Sequence, residues 1–550
     1  MKRILAYLLA VSMMILAFSL VACGETPVES TPSGSSGSTA STESTKATEP
    51  TSGSSETTAS SETSASTPED TTSSSGGTEE PEDLDGNVKH PDYMDVNFGG
   101  ATFTFATQDG WTGGWDTYEI YAEATGDDTI LDEAIIRRNQ TVENLYNCHI
   151  VEVHGTEVKG PVEMVKDDIA LGKCTYNFFM ALWSLYSAPE NALNIKNLDI
   201  NLEHSWWDQK YIDCFTTNVD GVEHLTTISG DFNLITMDSI VALFVNKNLY
   251  DQLRSTGKIT EDLFGAVKEG KWTIDMMMNI INEAAMDVDG DSVMTYYKDD
   301  IFGFVCDHNI KIGFGLFYGM GGNCTTKDDT GKQISVNSTN ADLQHFSDIG
   351  DKIVEFFKNP GAQYVDGGSG EDERLIVQSI ADGIALFIPE YLFRLHSTEE
   401  YVNYGVDPTE TPLSVVPFPK YDETQEEYYS YVCNRAYGLR ISPTNTNLAD
   451  IANFLEVFGF HSQKLLYPEY INYLKTQCLC DKDAGEILDI IIKARTYDFA
   501  VFMSSSFVGF SEETVTSGKN KLATRMVAAQ EAPYNTKLGE YFDQLRKITY

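Results

Sequence analysis

From Thr102 to Trp183 the sequence alternates short strand-like runs with helix-period runs, and this rhythm limits the fold more than any other feature. Thr102 to Ala106 alternates polar and apolar residues as a half-buried strand does. Ile130 to Tyr146 places Ile130, Leu131, Ala134, Ile135, Val142 and Leu145 at helical spacing, with charged residues between them. Val151 to Val153 reads as a second short strand, Val162 to Leu171 as a second helix, and Tyr176 to Leu185 as an apolar strand. Strand, helix, strand, helix, strand at these intervals predicts an open α/β sheet with mostly parallel strands. Ligands of such sheets collect at the carboxyl ends of the strands. The loop from Gln108 to Trp111 and the end near Trp183 therefore form a candidate rim.

The same reading extends along the chain. Ile240 to Asn246 is a buried strand, and Thr273 caps a helix from about Asp275 to Ala285. Leu375 to Ala381 is helical, Gly383 to Ile388 is a strand, and Ser414 to Lys420 ends another. Helices dominate from Ala449 to about Arg495, and no internal repeat is evident. The glycines at 313, 315, 319, 321 and 322 fail the dinucleotide-binding spacing and read as a turn.

Before this region the composition changes completely. From Gly24 to about His90 the residues are almost all Ser, Thr, Gly, Pro and Glu, too polar to offset the entropy of ordering them. A flexible coil of about 65 residues reaches roughly 45 Å. Ahead of it, Lys2 and Arg3 precede an apolar run from Ile4 to Leu20, which is the layout of a secretory signal peptide. Leu20-Val21-Ala22-Cys23 is similar to a bacterial lipobox, so Cys23 is the expected lipidation site, on the extracellular face of the cell membrane. A single acyl chain holds a protein marginally and two hold it firmly.

With 38 basic and 83 acidic side chains the formal net charge is −45. Such a chain lacks the basic face that nucleic acid requires, and it repels its own copies, so a monomer is expected. Nine cysteines are present; beyond Cys23 they are scattered, match no compact disulfide framework and read mostly as buried thiols, with pairing left open. The zinc-protease HExxH, nucleophile-elbow and phosphate-loop signatures are missing, the histidines lie singly, and no catalytic residue is assigned. No cofactor is required by the sequence. Asp287, Asp289 and Asp291 match the first three ligand positions of a calcium loop, but Ser292 stands where Gly belongs and Lys298 where a bidentate carboxylate belongs. Asp299 or Asp300 substitutes if the loop is longer, and an acidic surface turn is the competing reading.

Trp111, Trp115, Trp183, Trp206 and Trp207 stand beside Gly, Asp or Ser. Sugars offer C–H faces that stack on aromatic rings and hydroxyls that need polar partners. Trp206, Trp207 and Trp272 read as core, whereas Trp111 and Trp183 lie where strands end and read as ligand contacts.

Several segments together resemble one family. Val415-Val-Pro-Phe-Pro-Lys-Tyr421 through Tyr429 is the most specific, joined by Ser229-Gly-Asp231, Phe244-Val-Asn246-Lys247, Gly270-Lys-Trp-Thr273, Ala385-Leu-Phe387 and Tyr497-Asp498-Phe499. The chain resembles the extracellular solute-binding lipoproteins of bacterial ABC importers, of the maltose-binding (family 1) type in its clostridial form. Departures are the long loop from Tyr401 to Leu413 and Ser292 in the acidic turn. The resemblance implies an α/β, two-lobed, type II periplasmic-binding-protein-like fold with a hinge and a ligand cleft. It implies a signal peptide at 1–22, lipidated Cys23 with its linker over 23–92, and a binding domain over 93–550. Lobe 1 covers about 93–246 and 431–490 and lobe 2 about 247–430, with the helices of 491–550 spanning the hinge. By position, Asp109, Trp111, Trp183, Asp231, Glu390, Tyr391 and Arg435 would face the cleft. The implied partners are a carbohydrate, an oligosaccharide foremost, and the transmembrane subunits of a permease. A surface glycoside hydrolase and a receptor sensing sugars or peptides are the competing functions.

Overall fold

The computed structural model describes residues 85–548 except 109–116, 126–128, 157–158, 181–187, 297–299, 308–309, 336–339, 366–369, 397–411, 480–481, 504–511 and 530–533. The signal segment, Cys23 and most of the linker lie outside the described residues. Two sheets carry the architecture. In the first, Phe178–Met180, Ala101–Thr107 and Cys148–His154 lie side by side and parallel, and Leu439–Ile441 closes one edge antiparallel to Phe178–Met180. Ala101 pairs with Cys148 and Phe105 with Phe178, the register that the apolar alternation requires.

The Ile130–Tyr146 helix starts on a reciprocal cap. Thr129 Oγ1 accepts from the Asp132 amide at 3.1 Å, and the Asp132 carboxylate accepts from the Thr129 amide at 2.9 Å. The helix stops at Asn147, held at a φ of 55°. Leu448–Leu465 packs across the same sheet, where Phe454 stacks on Phe103 at 3.9 Å and on Phe178 at 5.5 Å. Trp206, Trp207 and Trp272 are all buried.

The second sheet has the order Ala362–Val365, Phe302–Asp307, Ala385–Tyr391, Val241–Asn246, Leu413–Val416. Its first three strands are parallel, and Val241–Asn246 runs antiparallel to both neighbours. This corrects the expected lobe limits. Val241–Asn246 is buried along its whole length and has a partner strand on each side, so it belongs to the second lobe and the first lobe ends before it. Likewise the Lys482–Lys493 helix packs on Leu413–Val416 and on the helix Leu263–Lys268, which puts 482–490 with the second lobe. Beyond it the chain touches both lobes: Phe499 meets Phe215 and Tyr541, while Leu522–Ala529 lies on the helix Asn340–Phe356.

Two other expectations change. The linker limit at 92 is too late, because residues 85–92 are seated on the first lobe. The Gly86 carbonyl is 2.7 Å from His461 Nδ1, and the buried His90 ring lies 5.0 Å from Phe460 and 5.6 Å from Trp206. The first part of the glycine-rich run is a helix, Ile310–Gly319, and only its end turns, at Met320 and Gly321 with Gly321 at a φ of 81°. Gly315 and Gly319 let it lie against Phe418 and Pro419, where a Cβ would collide. The seven described cysteines outside the lipobox are free thiols, four of them buried. Burial pushes the Cys148 thiol up to about 12. No described helix is long and apolar enough to cross a membrane.

Candidate functional site

The parallel strands Phe302–Asp307 and Ala385–Tyr391 end together in the second sheet. Ala385 pairs with Phe302 and Phe387 with Phe304, and continuing that register sets Glu390 beside Asp307 with both side chains on one side of the sheet. Glu390 is fully buried and its Oε2 accepts from Lys311 Nζ at 2.9 Å, a lysine only 1% exposed. Glu390 Oε1 accepts from the Tyr391 amide at 2.9 Å and lies 3.9 Å from Arg394 Nε. Lys311 Nζ stands 5.4 Å from the Tyr391 ring centre, and the Arg394 guanidinium lies 4.7 Å from that of Phe393. Burial pushes the neighbouring Cys306 thiol upward; Asp307 adds to the shift and Lys311 opposes it.

This rim leads directly into the junction between the lobes. Three chain segments run side by side there. Ser239 O accepts from the Cys433 amide at 2.8 Å, and Ile240 bridges Val432. Thr496 O accepts from the Val432 amide at 3.1 Å, and Ala494 O from the Ser430 amide at 2.8 Å. The end of the Glu390 strand joins the same set, because the Leu392 amide donates to Ile240 O at 2.9 Å. Cys433 Sγ lies 3.7 Å from the Tyr391 hydroxyl, and the half-buried Arg435 follows two residues on. The Tyr391 hydroxyl is held well above its usual range by burial foremost, with the Arg435 charge acting against that. The structure thus brings Glu390, Tyr391 and Arg435 to one junction.

A second polar centre lies at Asp238, just before the first crossing segment. Its Oδ2 accepts from the Tyr118 hydroxyl at 2.8 Å; its Oδ1 accepts from the Tyr470 hydroxyl at 2.6 Å and lies 2.9 Å from His396 Nε2. Burial pulls the His396 imidazole down, but the Asp238 charge and hydrogen bond outweigh it, so its affinity for the proton is raised. The buried Glu119 is pushed up to about 7, mainly by burial, with backbone amides acting against it and Asp238 adding to it.

Asp231 has a different set of partners. Its Oδ2 accepts from Gln463 Nε2 at 3.0 Å and its amide donates to Trp206 O at 2.9 Å. Burial pushes its carboxyl up to about 7, and the nearby Arg495, paired with Asp208 at 2.8 Å, pulls it down only in part. Among the described residues it makes no hydrogen bond with the rim of Glu390, Tyr391 and Arg435, so the structure does not place it with them. Asp109, Trp111 and Trp183 lie outside the described residues.

In the acidic loop the grouping differs from the one expected. Carboxylate oxygens of Asp287, Asp289 and Asp300 lie within 4.8 Å of one another, and Asp291 instead caps the Val293 amide at 2.7 Å. Asp300 takes the third place because it is buried at the base of the loop, accepting from the Val288 and Thr295 amides at 2.8 and 2.7 Å. Ser292 holds a φ of 67°, the left-handed conformation that favours glycine.

No protein-family model matches the chain, and no curated protein matches its sequence. Solved structures do match. Mycobacterium tuberculosis UspC is similar with a TM-score of 0.50 and 12% identity, over 79% of this chain and 99% of that one. The maltose-binding periplasmic protein MalE of Listeria monocytogenes, in complex with maltose, gives 0.47 and 13% over 80% and 98%. The galacto-N-biose-/lacto-N-biose I-binding protein of Bifidobacterium longum, in complex with lacto-N-biose, gives 0.47 and 12% over 81% and 98%. The two sheets and their crossings define a two-lobed, type II periplasmic-binding-protein-like α/β fold.

Proposed function

We propose that this chain is the extracellular capture subunit of an ABC importer, taking a carbohydrate, foremost an oligosaccharide, between its two lobes and presenting it to a membrane permease. The observation that carries the proposal is the junction itself. Three hydrogen-bonded crossing segments join the lobes directly beside Glu390, Tyr391 and Arg435. A ligand that touches both lobes there biases the hinge toward its closed state. Lipidation at Cys23 and the polar linker keep the capture domain within reach of its permease. Hydrolysis of a glycoside needs two carboxylates open to substrate and water. Here the adjacent pair, Asp307 and Glu390, is 7% and 0% exposed, and Glu390 is committed to Lys311, which favours binding over catalysis.

Titration calorimetry of the chain against a panel of neutral oligosaccharides tests the proposal, with small-angle scattering on the same samples. Saturable binding with a dissociation constant of about 1 μM, near −8 kcal/mol, and a smaller radius of gyration are expected. Absence of saturable binding to every sugar would remove the carbohydrate, and sugar hydrolysis on incubation would establish the enzyme instead.

A further inference from the structure

Among the described residues, Asp307 is a rim carboxylate with an oxygen for which the fold supplies no donor. It ends the Phe302–Asp307 strand and is 7% exposed, and its Oδ1 has no hydrogen-bond partner. A carboxylate can only accept, so a buried one needs donors, and leaving it without them destabilises the fold. The nearby cation Lys311 turns to the neighbouring strand. Lys311 Nζ bonds Glu390 at 2.9 Å, and Arg394 Nε lies 3.9 Å from the same carboxylate. Glu390 is therefore a satisfied structural acid, while the acid beside it in register is not. A buried polar group left unsatisfied calls for an explanation, a functional role among them, and the carboxyl end of a parallel strand is where a binding site belongs.

We infer that Asp307 is a recognition residue of the second lobe, its carboxylate accepting hydroxyl protons from a neutral, hydroxyl-rich ligand; this rests on the binding function proposed above. An anionic sugar is disfavoured because it would bring a second negative charge to a carboxylate that lacks a counter-ion. An ammonium-bearing ligand is less favoured because it would bring a further cation beside Lys311, which stands next to Glu390 on the neighbouring strand. Asp307 thus selects for neutral donors, and Glu390 acts through Lys311 to hold the surrounding charges in place.

The experiment compares the full chain in detergent with Asp307→Asn and Asp307→Ser at pH 7.5. Each is melted without sugar, then titrated with maltotriose, cellotriose, xylotriose, glucosamine and glucuronic acid. Removing an unsatisfied buried charge is expected to raise the melting temperature by about 1–3 °C. Losing a hydrogen bond to a charged acceptor is expected to weaken neutral-sugar binding about ten- to a hundred-fold. A fall in melting temperature in both variants would show that Asp307 is satisfied structurally, and unchanged affinity in both would remove it from recognition; either overturns the inference. Tightest binding of glucosamine or glucuronic acid overturns the preference for neutral ligands. If the unaltered chain binds no sugar at all, the capture function and the recognition role fall together, and a raised melting temperature in that case shows that the buried charge was identified correctly while its ligand was not.

Discussion

Glu119→Gln tests how the junction stores charge. Glu119 is fully buried; its Oε2 accepts from the Tyr118 amide at 3.0 Å, and its Oε1 has no partner. Burial raises its pKa from the usual 4.5 to about 7. A raised acid pKa means that the folded state holds a proton which the unfolded chain has already released. Stability therefore falls as pH rises from about 4.5 to about 7, and is constant with respect to this group outside that window. At 1.36 kcal/mol for each tenfold change in proton affinity, the full effect is about 3 kcal/mol.

Glutamine keeps the shape and removes the titration. The variant should match the original chain near pH 4.5 and exceed it by up to about 3 kcal/mol at pH 8. Urea midpoints followed by tryptophan fluorescence at pH 4.5, 6, 7 and 8 measure this without assuming a single transition for both lobes. Asp231, also raised to about 7 by burial, leaves a residual slope in the single variant that Glu119→Gln/Asp231→Asn removes. Parallel curves for the original chain and Glu119→Gln across the range, or a less stable variant at pH 8, would refute the reasoning.

Lys311→Met should destabilise by about 3–5 kcal/mol, because it leaves Glu390 buried without its counter-charge. Adding Glu390→Gln should recover much of that loss, and a double-mutant cycle in urea measures the coupling. His396→Gln acts in a different pH window. The Asp238 partner raises the proton affinity of His396, so its contribution is fully present below about 6.5 and disappears as pH rises through the higher folded value. The original chain should lose stability in thermal melts as pH rises above about 6.5, and the variant should lack that component.

Much of the fold is legible in the sequence because local and tertiary demands agree there. Ile130 to Tyr146 carries its helical period, and the helix has those bounds, with a reciprocal cap at Thr129 and a left-handed Asn147 that the structure adds. Thr273 caps Ile274–Ala284 as its position suggests. Lobe membership is harder to read. Val241–Asn246 has the composition of a strand buried on both faces, which both lobes provide, and only its pairing with strands well over a hundred residues downstream assigns it. The glycines of Ile310–Gly319 mislead for a related reason: they serve a close approach to Phe418, a distant residue, rather than a local turn.

The site divides along the same line. Glu390 and Tyr391 are named through the resemblance, by their place after Ala385-Leu-Phe387; the structure adds a local signal, a polar residue closing a buried apolar strand. Asp307 carries that signal too, after Phe302-Gly-Phe-Val-Cys306, but it gains meaning only from what it lacks. No spacing rule can show that Lys311 is spent on Glu390, since the two are 79 residues apart and the choice between neighbouring carboxylates is made by side-chain reach. Ser229-Gly-Asp231 resembles a binding segment, and in the structure Gly230 lies against the Trp206 backbone while Asp231 accepts from Gln463. A carboxylate in this chain is informative according to its partner: Glu390 and Asp231 have one within the fold, and Asp307 is left for something the fold does not contain.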